Sequence, residues 1–275
     1  MIDKTEIECR FRRSVDSYED NATVQKWIVQ RLVELLQEYV PYSSRTLEIG
    51  CGTGLLSEKI NRLWEDQQFW VNDLVEQMCR KTIDRCQLPV SHGLNGDIEQ
   101  IPLTGKFDLI VSASTFQWLA HPRATFAKLA AHLNTNGWLI FSTFGKNNFK
   151  ELKAVTGQGL EYRSIGELSA WLSSEYDILY TEEQIHTLKF SDPLDILRHV
   201  KKTGVKITPH MLRHYFANMR KQAGWELEMI SQALGHKHLD TTIKYLDWLD
   251  DELIEASNEF YAQHTAIYGA ERLLE

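Results

Sequence analysis

Arg45-Thr46-Leu47-Glu48-Ile49-Gly50-Cys51-Gly52-Thr53-Gly54 is a short apolar run that breaks into three glycines at alternate positions, and residues 55 to 63 behind it carry helical spacing. Strand, tight turn and helix in that order make the first half of a βαβ unit. Glycines belong in such a turn for a physical reason. They remove side chains where backbone must approach a ligand, and they leave amide N–H groups free to face it at the start of a helix. A tight turn with no ligand would use glycines too, so the reading depends on the strands and acids further along the chain.

Outward from the loop the alternation continues. Phe69-Trp70-Val71-Asn72-Asp73 predicts a second strand with an acid at its end, and residues 75 to 86 predict a helix. A short segment ends at Gly96-Asp97, residues 107 to 112 form another apolar strand, residues 123 to 133 a helix, and residues 138 to 142 a further buried strand. Strands alternating with helices predict a doubly wound parallel sheet with ligands at the carboxyl ends of its strands. Asp73 stands 19 residues after Gly54, where a carboxylate can accept both hydroxyl hydrogens of a ribose. Asp97 ends the third strand, where it can receive the exocyclic amine of an adenine. Either acid could instead be only a helix cap. The candidate cofactor set is Glu48, Gly50, Cys51, Gly52, Gly54, Asp73, Leu74, Asp97 and Ile98. The spacing Gly-x-Gly-x-Gly departs from the dinucleotide pattern G-x-G-x-x-G and favours S-adenosyl-L-methionine over NAD. Cys51 is read as a small loop residue without chemistry.

On the amino-terminal side, Val24, Ile28, Leu32, Leu35 and Leu36 predict an amphipathic helix over residues 21 to 40, stopped by Pro41. Residues 1 to 13 are charged and lack an apolar core, and no run of 18 apolar residues occurs, so neither a signal peptide nor a membrane span is expected. The net charge of −8 over 275 residues excludes a uniformly basic nucleic-acid binder. Cysteines at 9, 51, 79 and 86 form no C-x-x-C pair, so reduced thiols, no metal and a cytoplasmic setting are expected. Beyond the sheet, residues 165 to 173 read as helix, 176 to 190 as a long strand, and 192 to 202 as helix. At Lys206 the texture changes. Residues 206 to 245 carry six Lys or Arg against three acids, a balance of +3, whereas 246 to 275 carry one Arg against eight acids, a balance of −7. Helices over 225 to 234 and from 241 onward, and no further strand, are expected there.

Several motifs together resemble one family. They are Phe11-Arg12-Arg13-Ser14-Val15-Asp16-Ser17-Tyr18, Ala22-Thr23-Val24-Gln25, Phe107-Asp108-Leu109-Ile110-Val111-Ser112, Phe116-Gln117-Trp118-Leu119 and Gly137-Trp138-Leu139-Ile140-Phe141-Ser142-Thr143-Phe144-Gly145, followed by Glu151-Leu152 and Lys202-Thr203-Gly204-Val205. Over residues 11 to 205 the chain is similar to the malonyl-acyl-carrier-protein O-methyltransferases of biotin synthesis. The resemblance implies a class I, Rossmann-like methyltransferase domain over 1–205. It also implies methyl transfer from S-adenosyl-L-methionine to the free carboxylate of a malonyl group held by acyl-carrier protein. Tyr18 is the candidate for closing the site, and Gln117 is placed near the methyl donor.

A second resemblance lies in the tail, 206–275. Ile207-Thr208-Pro209-His210-Met211-Leu212-Arg213-His214 looks like the H-x-x-R box of tyrosine recombinases, Leu234-Gly235-His236 like their L-G-H, and Tyr245 stands where their nucleophile belongs. The match implies that His210, Arg213 and His236 once stabilised a phosphate under attack by Tyr245. It covers only the end of that catalytic domain and omits its earlier arginine and hairpin lysine, so DNA binding through the tail is not expected to be functional. The tail is therefore expected to be a small all-α appendage, leaving the sheet without its last antiparallel strand. Two strands would then face each other across a gap, so donor binding is expected to persist and methyl transfer to be weak.

Overall fold

The computed structural model describes residues 3–15, 19, 23–148, 160–186, 221, 224–234, 238–239 and 264–272. They form a seven-stranded sheet in the order β3-β2-β1-β4-β5-β7-β6. Its strands are β1 (Arg45–Ile49), β2 (Gln68–Asp73), β3 (Gly93–Asn95), β4 (Phe107–Ala113), β5 (Leu133–Phe144), β6 (Tyr176–Ile185) and β7 (His264–Arg272). The helices are α1 (Lys4–Ser14), α2 (Thr23–Tyr39), α3 (Leu55–Ile60), α4 (Glu76–Cys86), α5 (Pro122–Ala131), α6 (Ile165–Leu172) and α7 (Leu227–Leu234).

Strands β1 to β5 pair in parallel, with β1 between β2 and β4. Covered on both faces, the central strands are nearly continuous in apolar residues, as parallel sheets require. Leu47, Ile49, Leu109, Ile110 and Val111 are fully buried. Helix α2 presents Ile28, Leu32 and Leu36 as a fully buried stripe at the predicted spacing. On β6, Tyr176 is buried and its hydroxyl donates to the Phe126 carbonyl at 2.8 Å, tying the edge of the sheet to α5. Helix α6 starts with a capping box, Ser164 accepting from the Glu167 amide while the Glu167 carboxylate takes the Ser164 N–H.

Two expectations are corrected. The antiparallel strand expected to be missing is present. β7 pairs with β5 antiparallel from Trp138↔Glu271 to Phe144↔Thr265, and it sits between β5 and β6. The tail is therefore not all-α, because its end is a sheet strand. Its sequence, His-Thr-Ala-Ile-Tyr-Gly-Ala-Glu-Arg, mixes poor strand formers with good ones. Pairing with a strand about 130 residues earlier, rather than local propensity, selects its conformation. The amino terminus, for which no element was expected, is helical over residues 4 to 14. Asp3 caps that helix, accepting from the Glu6 amide, and Ile7 is buried.

The chain divides into two compact units. One holds residues 1–146, 162–184 and 264–275, which include the whole sheet except the last residue of β6. The other holds residues 147–161 and 185–263. In the second unit, α7 occupies part of the predicted 225–234 helix, with Ile230 buried among Trp225, Leu227 and Leu234. The helices expected over 192–202 and from 241 onward lie outside the described residues. Deleting residues 264–275 removes seven paired positions from the middle of the sheet. It is expected to lower the melting temperature by about 10 °C or more, or to abolish folding; an unchanged melting curve would show that the β5–β7 pairing contributes nothing.

Candidate functional site

The carboxyl ends of β1, β2, β3 and β4 surround a cavity of about 720 Å³, part of it open to solvent. Six residues of the expected cofactor set line it: Gly50, Gly52, Asp73, Leu74, Asp97 and Ile98. Glu48, Cys51 and Gly54 lie behind this surface and shape it.

The glycine loop works through its missing side chains. Gly50, Gly52 and Gly54 all have positive φ, between 55° and 90°. A Cβ on Gly50 would stand 2.0 Å from the Thr115 hydroxyl, whereas the space in front of Gly52 is open. The loop amides are largely committed within the protein. Gly50 and Cys51 N–H both donate to the Asn72 carbonyl, at 2.8 and 2.9 Å, and Gly52 N–H donates to the Asp73 carboxylate at 2.9 Å. Asn72 is fixed in turn by donating to the Leu94 and Gly96 carbonyls. One asparagine thus holds the ends of three strands in register beneath the cavity.

Two buried acids differ in role. Glu48 is 1% exposed and bonded to the Ser57 hydroxyl, and burial pushes its carboxyl up to about 8. It is a largely protonated strut beneath the loop. Asp73 accepts from the Val75 and Gly52 amides, yet burial still raises its carboxyl to about 6. Asp73 lines the cavity, which fits acceptance of ribose hydroxyls. Cys51 is buried and pushed well above the usual thiol range, first by burial, so it stays a neutral thiol.

The first helix, which sequence reasoning missed, covers one side of the cavity with Ile7 and Phe11. Their i, i+4 spacing behind the Asp3 cap was the available signal. Lys4 Nζ lies 3.1 Å from Asp97 and 2.8 Å from Glu99, and the Phe11 ring meets Trp118 edge-on at 5.8 Å. Asn72, Met78, Ser114, Thr115 and Trp118 also line the cavity and were not anticipated as site residues. Gln117 directs its amide away to the Ser114 carbonyl, and the Thr143 hydroxyl donates to its oxygen at 3.3 Å. Tyr18, His210, Arg213, His236 and Tyr245 lie outside the described residues.

Two outcomes test this electrostatic arrangement. With Asp73 as the expected ribose acceptor, its ionised form accepts more strongly than its neutral form, so affinity for an adenosyl ligand is expected to be full above pH 7 and to fall as pH drops through about 6. Asp73→Asn should weaken binding roughly 10- to 100-fold and remove the pH step in calorimetric titrations. Glu48, with a folded value raised to about 8, contributes stability that is complete below its unfolded value and lost as pH rises through 8. Glu48→Gln should therefore melt higher than wild type at pH 9, with the gap closing toward pH 5; a constant gap would place the ionisation elsewhere.

Comparisons with known proteins agree with this geometry. A family described as a methyltransferase domain matches residues 23–228. The malonyl-[acyl-carrier protein] O-methyltransferase of Bacteroides thetaiotaomicron is 39% identical over 208 residues, covering 74% of this chain and 78% of that protein. The protein of that name from Bacteroides fragilis is 42% identical over 201 residues, 72% of this chain, although the match spans only 41% of that longer relative. Among solved structures, a protein of Bacillus halodurans assigned as a methyltransferase superimposes with a TM-score of 0.59 at 12% identity, covering 88% of this chain and 98% of that one, which speaks for the fold alone. With its glycine loop, its acids at the ends of β2 and β3 and its complete seven-stranded sheet, the chain belongs to the malonyl-[acyl-carrier protein] O-methyltransferase family of S-adenosylmethionine-dependent methyltransferases.

Proposed function

We propose that this protein methylates the free carboxylate of a malonyl group carried as a thioester on acyl-carrier protein. The observation that carries the reading is the acid-lined cavity at the β1, β2 and β4 ends, in a chain whose relatives bear that name at 39–42% identity. In this reading Gly50 and Gly52 let the methionine part of the donor lie against the loop, and Asp73 accepts the ribose hydroxyls. Asp97 receives the adenine amine, with Leu74 and Ile98 against the base. Glu48, Cys51 and Gly54 keep the loop in shape.

The acceptor needs no base, because a carboxylate is already ionised at neutral pH. What remains for the chain is alignment and exclusion of water. Helix α1 supplies part of that, its Ile7 and Phe11 covering the cavity while Lys4 ties it to Asp97 and Glu99. Tyr18 remains the candidate for closing the site, and Gln117 would hold the turn after β4.

The reason for expecting weak turnover, an absent strand, no longer applies, since β7 completes the sheet. We read the recombinase-like stretch from 206 to 264 as a segment composed apart from the 1–205 domain and without DNA chemistry, falling in sequence between β6 and β7. Among the described residues no helix is long and apolar enough to cross a membrane. All four cysteines are free thiols, which supports a cytoplasmic setting.

Incubating the protein with S-adenosylmethionine and malonyl-carrier protein should add the mass of one CH₂ to the malonyl group by mass spectrometry. Acetyl-carrier protein, lacking the carboxylate, should gain nothing. Donor binding without any gain on the malonyl carrier would overturn the assigned acceptor and leave the donor site standing.

A further inference from the structure

Ser114 follows the last residue of β4 and lines the cavity. Its backbone is left-handed, with φ 55°, a region that a residue with a side chain enters only under constraint. The constraint is visible on both sides. Its N–H donates to the Ser142 carbonyl at 3.1 Å and to the Ser142 hydroxyl at 3.0 Å, while its own carbonyl accepts from the Gln117 amide. Every backbone polar group of Ser114 is thus engaged. Its side-chain oxygen is buried and has no hydrogen-bond partner. Glycine would take this φ with less strain, so the hydroxyl is what serine adds.

The other groups of the cavity define what that hydroxyl can receive. Asn72 gives its amide hydrogens to the Leu94 and Gly96 carbonyls, and the Thr115 hydroxyl donates to the Ala113 carbonyl at 3.2 Å. Asp73 and Asp97 are acids, and Lys4 is held by Asp97 and Glu99. The Ser114 hydroxyl is buried in its present rotamer, so an anionic acceptor entering here meets it, as a neutral donor, only after rotation about the Cα–Cβ bond. Buried hydroxyls without partners call for one.

We propose that the Ser114 hydroxyl positions the acceptor, donating a hydrogen bond to one oxygen of the substrate carboxylate while the other oxygen takes the methyl group. The attacking oxygen uses its own lone pair to form the new C–O bond. The pair of the broken C–S bond stays on sulfur, the positive and negative charges cancel, and no proton moves. Gln117 is then a positioning residue, acting through the Ser114 carbonyl rather than on the substrate.

This inference rests on the acceptor reading above, and its test separates the two. Ser114→Ala should lower kcat/KM for malonyl-carrier protein about 10- to 100-fold while leaving the affinity for S-adenosylhomocysteine within about twofold. Ser114→Gly should lose the same activity yet melt higher than wild type, because it relieves the left-handed strain and removes only the hydroxyl. Unchanged kcat/KM in both variants would overturn the proposal. So would a loss confined to S-adenosylhomocysteine affinity, which would assign the hydroxyl to the donor. A wild-type protein that binds S-adenosylhomocysteine but methylates no malonyl thioester would sink the acceptor reading itself, and this proposal with it.

Discussion

The close approach of Gly50 to Thr115 governs the site. Two parallel neighbours, β1 and β4, end side by side, and each must turn away without colliding with the other. A side chain at position 50 would overlap the Thr115 hydroxyl, so the loop can leave β1 only through a glycine in a left-handed conformation. Once that turn is set, the Asn72 carbonyl receives two successive loop amides and draws the end of β2 alongside. The cavity is what remains between three strand ends held by these few bonds.

Its electrostatic character comes from burial. The fold places Asp73 and Asp97 on the lining and the neutral acid Glu48 beneath, in a chain that is acidic overall. The single cation among the described lining residues, Lys4, is spent on Asp97 and Glu99. Proximity of a sulfonium to an anionic acceptor would then be organised by geometry, and hydrogen bonds from neutral groups can steer that acceptor without competing for its charge.

The sheet beyond β5 is a different kind of construction. It is antiparallel where β7 meets β5, and its order, β5-β7-β6, brings the last strand of the chain inside an earlier one. β7 pairs with Ser142, Thr143 and Phe144 of β5, and Ser142 pairs with Ala113 of β4 on its other side. Ser142 and Thr143 in turn hold Ser114 and Gln117, so the far strand supports the turn after β4 from behind.

Local sequence determined the first five strands, the helices between them and the cofactor loop, because period, glycine spacing and strand-end acids all act within a few residues. Leu47 to Gly54, Asp73 and Asp97 could be read without coordinates for that reason. Only tertiary structure decided the rest. Residues 264 to 272 become a strand through a partner about 130 residues away, and the amino-terminal helix gains its purpose only where Ile7 and Phe11 find the cavity. Ser114 was silent in sequence because its φ and its unpaired hydroxyl arise from bonds made by Ser142 and Gln117. A residue's type can be read from the chain, but which of its polar groups remain free after folding depends on every neighbour that packs around it.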